Sequence, residues 1–182
     1  MNEEIKKSIE KIVSESGVKA YAFAKQTDIV YDYCFRDICK SNSCGQYGRC
    51  WMCPPDAGDI EVLMNKAKKY EDVVLYQIVA ELEDSFDVEG MAEGKKIFSA
   101  CSVYIAKEMK RLGLDDYMQL GVGGCGICER CTKRDGEPCR HPELAVPSLE
   151  TCGIFVSETA KNVGLKYING QNTVTYFGMI LF

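Results

Sequence analysis

The stretch "VVLYQIVAEL", Val73 to Leu82, decides how the chain is read. It is β-branched and almost continuously apolar, which is the pattern of a strand covered on both faces. Ahead of it, Asp59 can cap a helix carrying Ile60, Leu63, Met64 and Ala67. After it, Asp87 opens a long helix with Met91, Phe98, Cys101, Ile105, Met109 and Leu112 largely on one side, and Gly113 ends it. Further out, "VKAYAFAK" (18–25) alternates as a strand, preceded by Ile5, Ile9, Ile12 and Val13 at helical spacing up to Gly17. "YMQLGV" (117–122) is a further strand, and Pro147 to Gly153 a turn or short helix. Val156, Ala160 and Val163 mark a helix closed by Gly164. "LKYINGQNTVTYFGMILF" (165–182) predicts a hairpin, two strand-like runs around "NGQN". The expectation is a single α/β layered domain over residues 1–182, with a central sheet of about four to five strands flanked by helices. Two cysteine-rich segments, 34–55 and 123–142, are expected as long functional loops inserted in it.

Composition narrows the function. Of 182 residues, 46% are apolar, enough for a core without staples. The net charge of −5 argues against a nucleic-acid binder, which needs a basic footprint. No run approaches a membrane span, and "MNEEIKKSIEKIV" is charged and helical in period rather than a signal region, so a cytoplasmic protein is expected. Eleven cysteines are abnormal for such a chain. In a reducing compartment, clustered thiols ligate metal or do redox chemistry more often than they form disulfides. With His141 as the one histidine, any site must be nearly all thiolate, which selects zinc or iron–sulfur.

The segment from Gly123 to Pro142, "GGCGICERCTKRDGEPCRHP", holds the more regular set. Cys125, Cys128, Cys131 and Cys139 have the spacing C-x2-C-x2-C-x7-C. Two-residue gaps let successive thiolates on a curled loop reach three corners of a [4Fe-4S] cubane, and are crowded for tetrahedral zinc, the competing reading. Cys139 can return to the same cluster or cross to a second. Gly123, Gly124 and Gly126 permit close backbone approach, with amides that can face cluster sulfurs. Arg130, Lys133, Arg134 and Arg140 supply cations beside an anionic cluster, or are a solvated basic loop. Gly121, Gly123 and Gly126 spell G-x-G-x-x-G, but cysteines and charges follow where a nucleotide fingerprint needs an apolar helix.

The segment 34–55 carries Cys34, Cys39, Cys44, Cys50 and Cys53 at irregular spacing. Cys53-Pro54-Pro55 has the cysteine-before-proline ending of iron–sulfur ligands. Trp51 and Tyr47 are either shields against water or core aromatics. Cys101 is expected as a buried apolar residue. Cys152 is expected in core or turn, a lowered thiol pKa and a redox or ligand role being the alternative. His141 is expected to hydrogen-bond rather than ligate.

These residues resemble the family of predicted metal-binding proteins with domain of unknown function 2284, found mainly in anaerobes. Its first signature, C-x4-C-G-x-Y-G-x4-C-P-P, is matched by Cys39, Cys44, Gly45, Tyr47, Gly48, Cys53, Pro54 and Pro55. Its second, G-G-C-x2-C-x2-C followed by P-C-R-x-P, is matched from Gly123 to Pro142, and "PSLETCGIFV" and "TVTYFGMILF" also fit. The resemblance implies metal binding of iron–sulfur type and supplies no reaction. It carries over Cys39, Cys44 and Cys53 but neither Cys34 nor Cys50, so the fourth ligand of the first site is Cys50, then Cys34, or an open corner. The eight ligands expected are therefore Cys39, Cys44, Cys50, Cys53, Cys125, Cys128, Cys131 and Cys139. Two [4Fe-4S] clusters passing single electrons to a redox partner protein is the leading expectation. An enzyme with an open iron corner, of sulfur-transfer or desulfuration type, and a module stapled by zinc or clusters are the alternatives.

Overall fold

In the computed structural model, which describes residues 3–182, the decisive run forms the second strand, β2 (Asp72–Glu81). It pairs with β1 (Ala20–Lys25) on one edge and with β4 (Thr173–Leu181) on the other; β3 (Met118–Leu120) closes the sheet beyond β4. The order is β1-β2-β4-β3 and every neighbouring pair is antiparallel. Five helices surround it: α1 (Glu3–Glu15), α2 (Cys34–Lys40), α3 (Ile60–Ala67), α4 (Val88–Arg111) and α5 (Val156–Asn162). The class is the α/β layering expected, with four strands.

β2 is apolar throughout because both of its faces are covered. Val74, Tyr76 and Ile78 point to one side, against Ile9 and Ile12 of α1 and Phe98, Cys101 and Ile105 of α4. Val73 and Leu75 point to the other, against Ala67 of α3, Ala160 of α5 and the Leu149–Ile154 segment. The two-residue period of a strand divides the run between two cores. Cys101 is core, as expected. The punctuation holds too: Asp59 accepts the Glu61 amide at 2.8 Å and Asp87 the Gly90 amide at 2.8 Å. Gly113 takes φ +67° at the end of α4, with the Leu114 amide returning to the Met109 carbonyl at 3.0 Å.

Two expectations are corrected. The final segment is not a hairpin: only Thr173–Leu181 is a strand, and "LKYI" (165–168) is irregular. β4 pairs along its whole length with β2 and at Met179–Leu181 with β3, both distant in sequence, rather than with the run just before it. The 165–168 run packs through side chains instead, Tyr167 stacking on Phe177 with ring centroids 5.7 Å apart. Second, the segment 34–55, expected as a loop, opens with the helix α2, whose seven residues are too few to display a period.

Short contacts fix where the cysteine loops depart. Gly121, just after β3, exchanges hydrogen bonds with the chain beyond the second loop: its amide donates to Pro147 O at 2.9 Å, and the Leu149 amide donates to Gly121 O at 3.1 Å. The buried Gln119 donates to Ser102 O and Ser102 Oγ, both at 2.9 Å, locking β3 onto α4. The first loop leaves from the same neighbourhood, with Tyr31 bridged to Ile154 and the Asp32 amide donating to Gly153 O at 2.8 Å. The 147–155 segment thus anchors both loops. Among the described residues, no helix is long and apolar enough to cross a membrane.

Candidate metal centre

The second loop folds back on itself. After Cys131 the chain makes a 3-10 turn (Thr132–Asp135) ended by Gly136 at φ +74°. The buried Thr132 Oγ1 then donates to Pro138 O at 2.8 Å, and the Glu137 amide to Thr132 O at 3.1 Å. This closes the seven-residue gap, so Cys125, Cys128, Cys131 and Cys139 line one small cavity together with Ile127 and His141. The His141 carbonyl accepts the amides of Leu144 and Ala145 at 3.1 and 3.0 Å, which turns the chain back toward the sheet.

The first loop behaves otherwise. Cys50 and Cys53 are buried, at 1% and 6% exposure. The Cys53 thiol donates to Cys50 Sγ; the amides of Met52 and Cys125 and the Cys131 thiol also bond to that sulfur. These donors, the Cys53 thiol first, hold the Cys50 thiol down at about 5 against its burial. The same hydrogen bond, then burial, pushes the Cys53 thiol far up, with the neighbouring charges of Cys44 and Cys39 adding to it. Burial raises Cys39 and Cys125. Cys50 therefore reaches out of its own loop to the second one, while Cys39, Cys44 and Cys53 stay within electrostatic range of each other. Cys34 is exposed, and a hydrogen bond to Asp32 raises its pKa.

The two loops are docked. The Trp51 indole donates to Glu137 O at 3.0 Å, and the Lys133 ammonium lies 4.3 Å from the centroid of the Trp51 ring. Lys133 also pairs with Asp56, both side chains mostly buried. Trp51 is thus a tie between the loops. The glycines also serve packing: a Cβ at Gly124 would come within 2.9 Å of Gln46 Cγ, and one at Gly126 within 2.7 Å of Ser99 Oγ on α4. Of the four cations, Arg130 pairs with Asp135 at 2.7 Å and Lys133 with Asp56, so half of that charge is internally matched. No helix begins at Gly121–Gly126, and the nucleotide fingerprint does not form. Cys152 is fully buried, and burial pushes its thiol up to about 12, the opposite of the lowered pKa considered for it.

The donor sets fit a thiolate-bound metal group. All eleven cysteines are free thiols. Beside Cys39, Arg36 spends Nη1 on Gly58 O at 2.8 Å, while its Nε and Nη2 are buried with no acceptor among the described residues. Two orphaned guanidinium donors near a thiol suit an anionic group there. Among the described residues, no three His, Cys, Asp or Glu side chains converge as tightly as a single ion requires. Arg36, Gln46, Asp56 and the crossing of Cys50 to Cys131 carry no signal in cysteine spacing, and sequence reasoning does not find them.

No curated protein and no solved structure matches the chain. The model of the predicted metal-binding protein family DUF2284 matches residues 22–182, and the chain, cysteine-rich and with two docked thiol loops, belongs to that family.

Proposed function

We propose that this is an iron–sulfur protein holding two [4Fe-4S] clusters and passing single electrons to a redox partner protein in a reducing cytoplasm. The observation that carries the reading is the cavity of the second loop, lined by four thiols that a hydrogen-bonded turn brings together. A donor set of thiolates alone favours iron–sulfur over hard cations. When bound, such a group supplies one-electron redox chemistry. The chain's own part is to present Cys125, Cys128, Cys131 and Cys139 from one loop and Cys39, Cys44, Cys50 and Cys53 from the other. The Trp51–Lys133–Asp56 contacts hold the two loops together, and Arg36 places positive charge beside the first set.

A second reading is favoured by the position of Cys50, whose sulfur bonds to the Cys125 amide and the Cys131 thiol. If Cys50 serves the second set, Cys39, Cys44 and Cys53 are a three-thiolate site with one open position, as in an enzyme that handles sulfur. Anaerobic purification with iron, acid-labile sulfide and zinc quantified per chain tests both. About eight iron and eight sulfide with a reduced EPR signal supports two clusters. Stoichiometric zinc without sulfide overturns the proposal.

A further inference from the structure

A cleft of about 740 Å³ lies between α4 and the second cysteine loop, and its floor includes Cys125, Cys128 and Cys131. Four cations line it, Lys95 and Lys96 of α4 and Arg130 and Arg134 of the loop, against a single carboxylate, Glu129. The whole chain carries a net charge of −5, so this concentration of positive charge runs against the average of the molecule. The cations are not equivalent. Lys96 pairs with Glu93 at 3.1 Å and Arg130 with Asp135 at 2.7 Å. Lys95 and Arg134 have no ion pair among the described residues. Lys95 is held over the glycine turn: its ammonium lies 3.7 Å from where a Gly123 Cβ would stand, and its Cε 3.7 Å from that of Gly126. Larger side chains at 123 and 126 would fill the space between this lysine and the thiol loop. Gln46 of the first loop closes the cleft at Gly124 and offers a neutral amide beside the cations.

We propose that this cleft binds a small oxoanion or carboxylate against the thiol site, with Lys95 and Arg134 as its principal contacts. Guanidinium recognises planar or tetrahedral oxygen anions through two parallel N–H bonds, while ammonium contributes a point charge. The concave shape suits a small molecule: the cleft is of ordinary ligand size, and three of its lining residues belong to the proposed metal centre. The inference rests on the iron–sulfur reading only for what the anion would be placed beside; recognition by the cations does not depend on the metal.

The test is calorimetric titration of the anaerobically purified, metal-loaded protein with sulfite, inorganic phosphate and succinate separately. The expected result is saturable binding of at least one probe that weakens as salt rises. Lys95→Gln and Arg134→Gln should each lower affinity about tenfold, while Lys11→Gln, a surface cation of α1 outside the cleft, changes it less than about threefold. Metal content per chain is measured for each variant and should not change. Absence of saturable binding at millimolar probe, or equal affinity in all three variants, overturns the cleft. Zinc in place of iron and sulfide, with binding intact, would sink the iron–sulfur reading and leave the cleft standing.

Discussion

The two cysteine loops solve the same problem by opposite routes. Loop 123–142 gathers its cysteines by itself: two short gaps, a 3-10 turn and the Thr132–Pro138 hydrogen bond bring all four to the lining of one cavity. Loop 34–55 spreads its five. Cys34 stays exposed on Asp32, Cys39 and Cys44 lie near the buried Cys53, and Cys50 crosses to the neighbouring loop. A closely spaced set is organised by its own backbone, whereas a loosely spaced one needs a second surface to fold against. Here that surface is the other loop, held by Trp51, Asp56 and Lys133.

The sharpest way to break this contrast is Cys50→Ser. Its sulfur touches both sets, so the variant should lose about half or more of the iron, with up to about 10 kcal/mol of metal-linked stability. Iron per chain and thermal unfolding measure this, and an unchanged EPR spectrum would remove Cys50 from both sites. Gly178→Ala separates scaffold from loops. A Cβ there would lie 2.3 Å from the Tyr76 ring, between the paired strands β2 and β4. Overpacking of that kind should cost about 3 kcal/mol in denaturant unfolding while folded protein keeps its metal. Lys133→Met removes the charged tie between the loops and leaves Asp56 buried without a cation, an expected loss of about 2 kcal/mol with faster metal release to a chelator. The smallest effect belongs to Cys34→Ser. An exposed thiol on Asp32 should be worth less than about 0.5 kcal/mol, with metal content unchanged, and a loss of iron here would return Cys34 to the ligand set.

Much of the scaffold is legible in sequence because burial there follows regular periods. The continuous run from Val73 declares two covered faces, and Asp59, Asp87 and Gly113 announce the helix boundaries that the structure has. The C-terminal hairpin does not form, because "NGQN" carries turn chemistry regardless of which strands flank it. Pairing of β4 with β2 and β3 is non-local and leaves no mark near residue 168. In the candidate site, the short spacing of Cys125, Cys128 and Cys131 is visible as a pattern. The docking of Trp51 on Glu137, and of Asp56 on a lysine 77 residues away, depends on the shared 147–155 anchor, which no local pattern encodes.

The order of the sheet has a consequence for the timing of assembly. β4 is last of the four strands in sequence and lies inside the sheet, between β2 and β3. Until residues 173–181 have left the ribosome, β2 has one unfilled edge and β3 has no partner in the sheet. The loop that follows β3 is then without its footing on α4, and the chain exposes thiols before it can shelter them. Metal delivery to this protein is therefore expected to follow synthesis of its final strand rather than accompany the emergence of its cysteines.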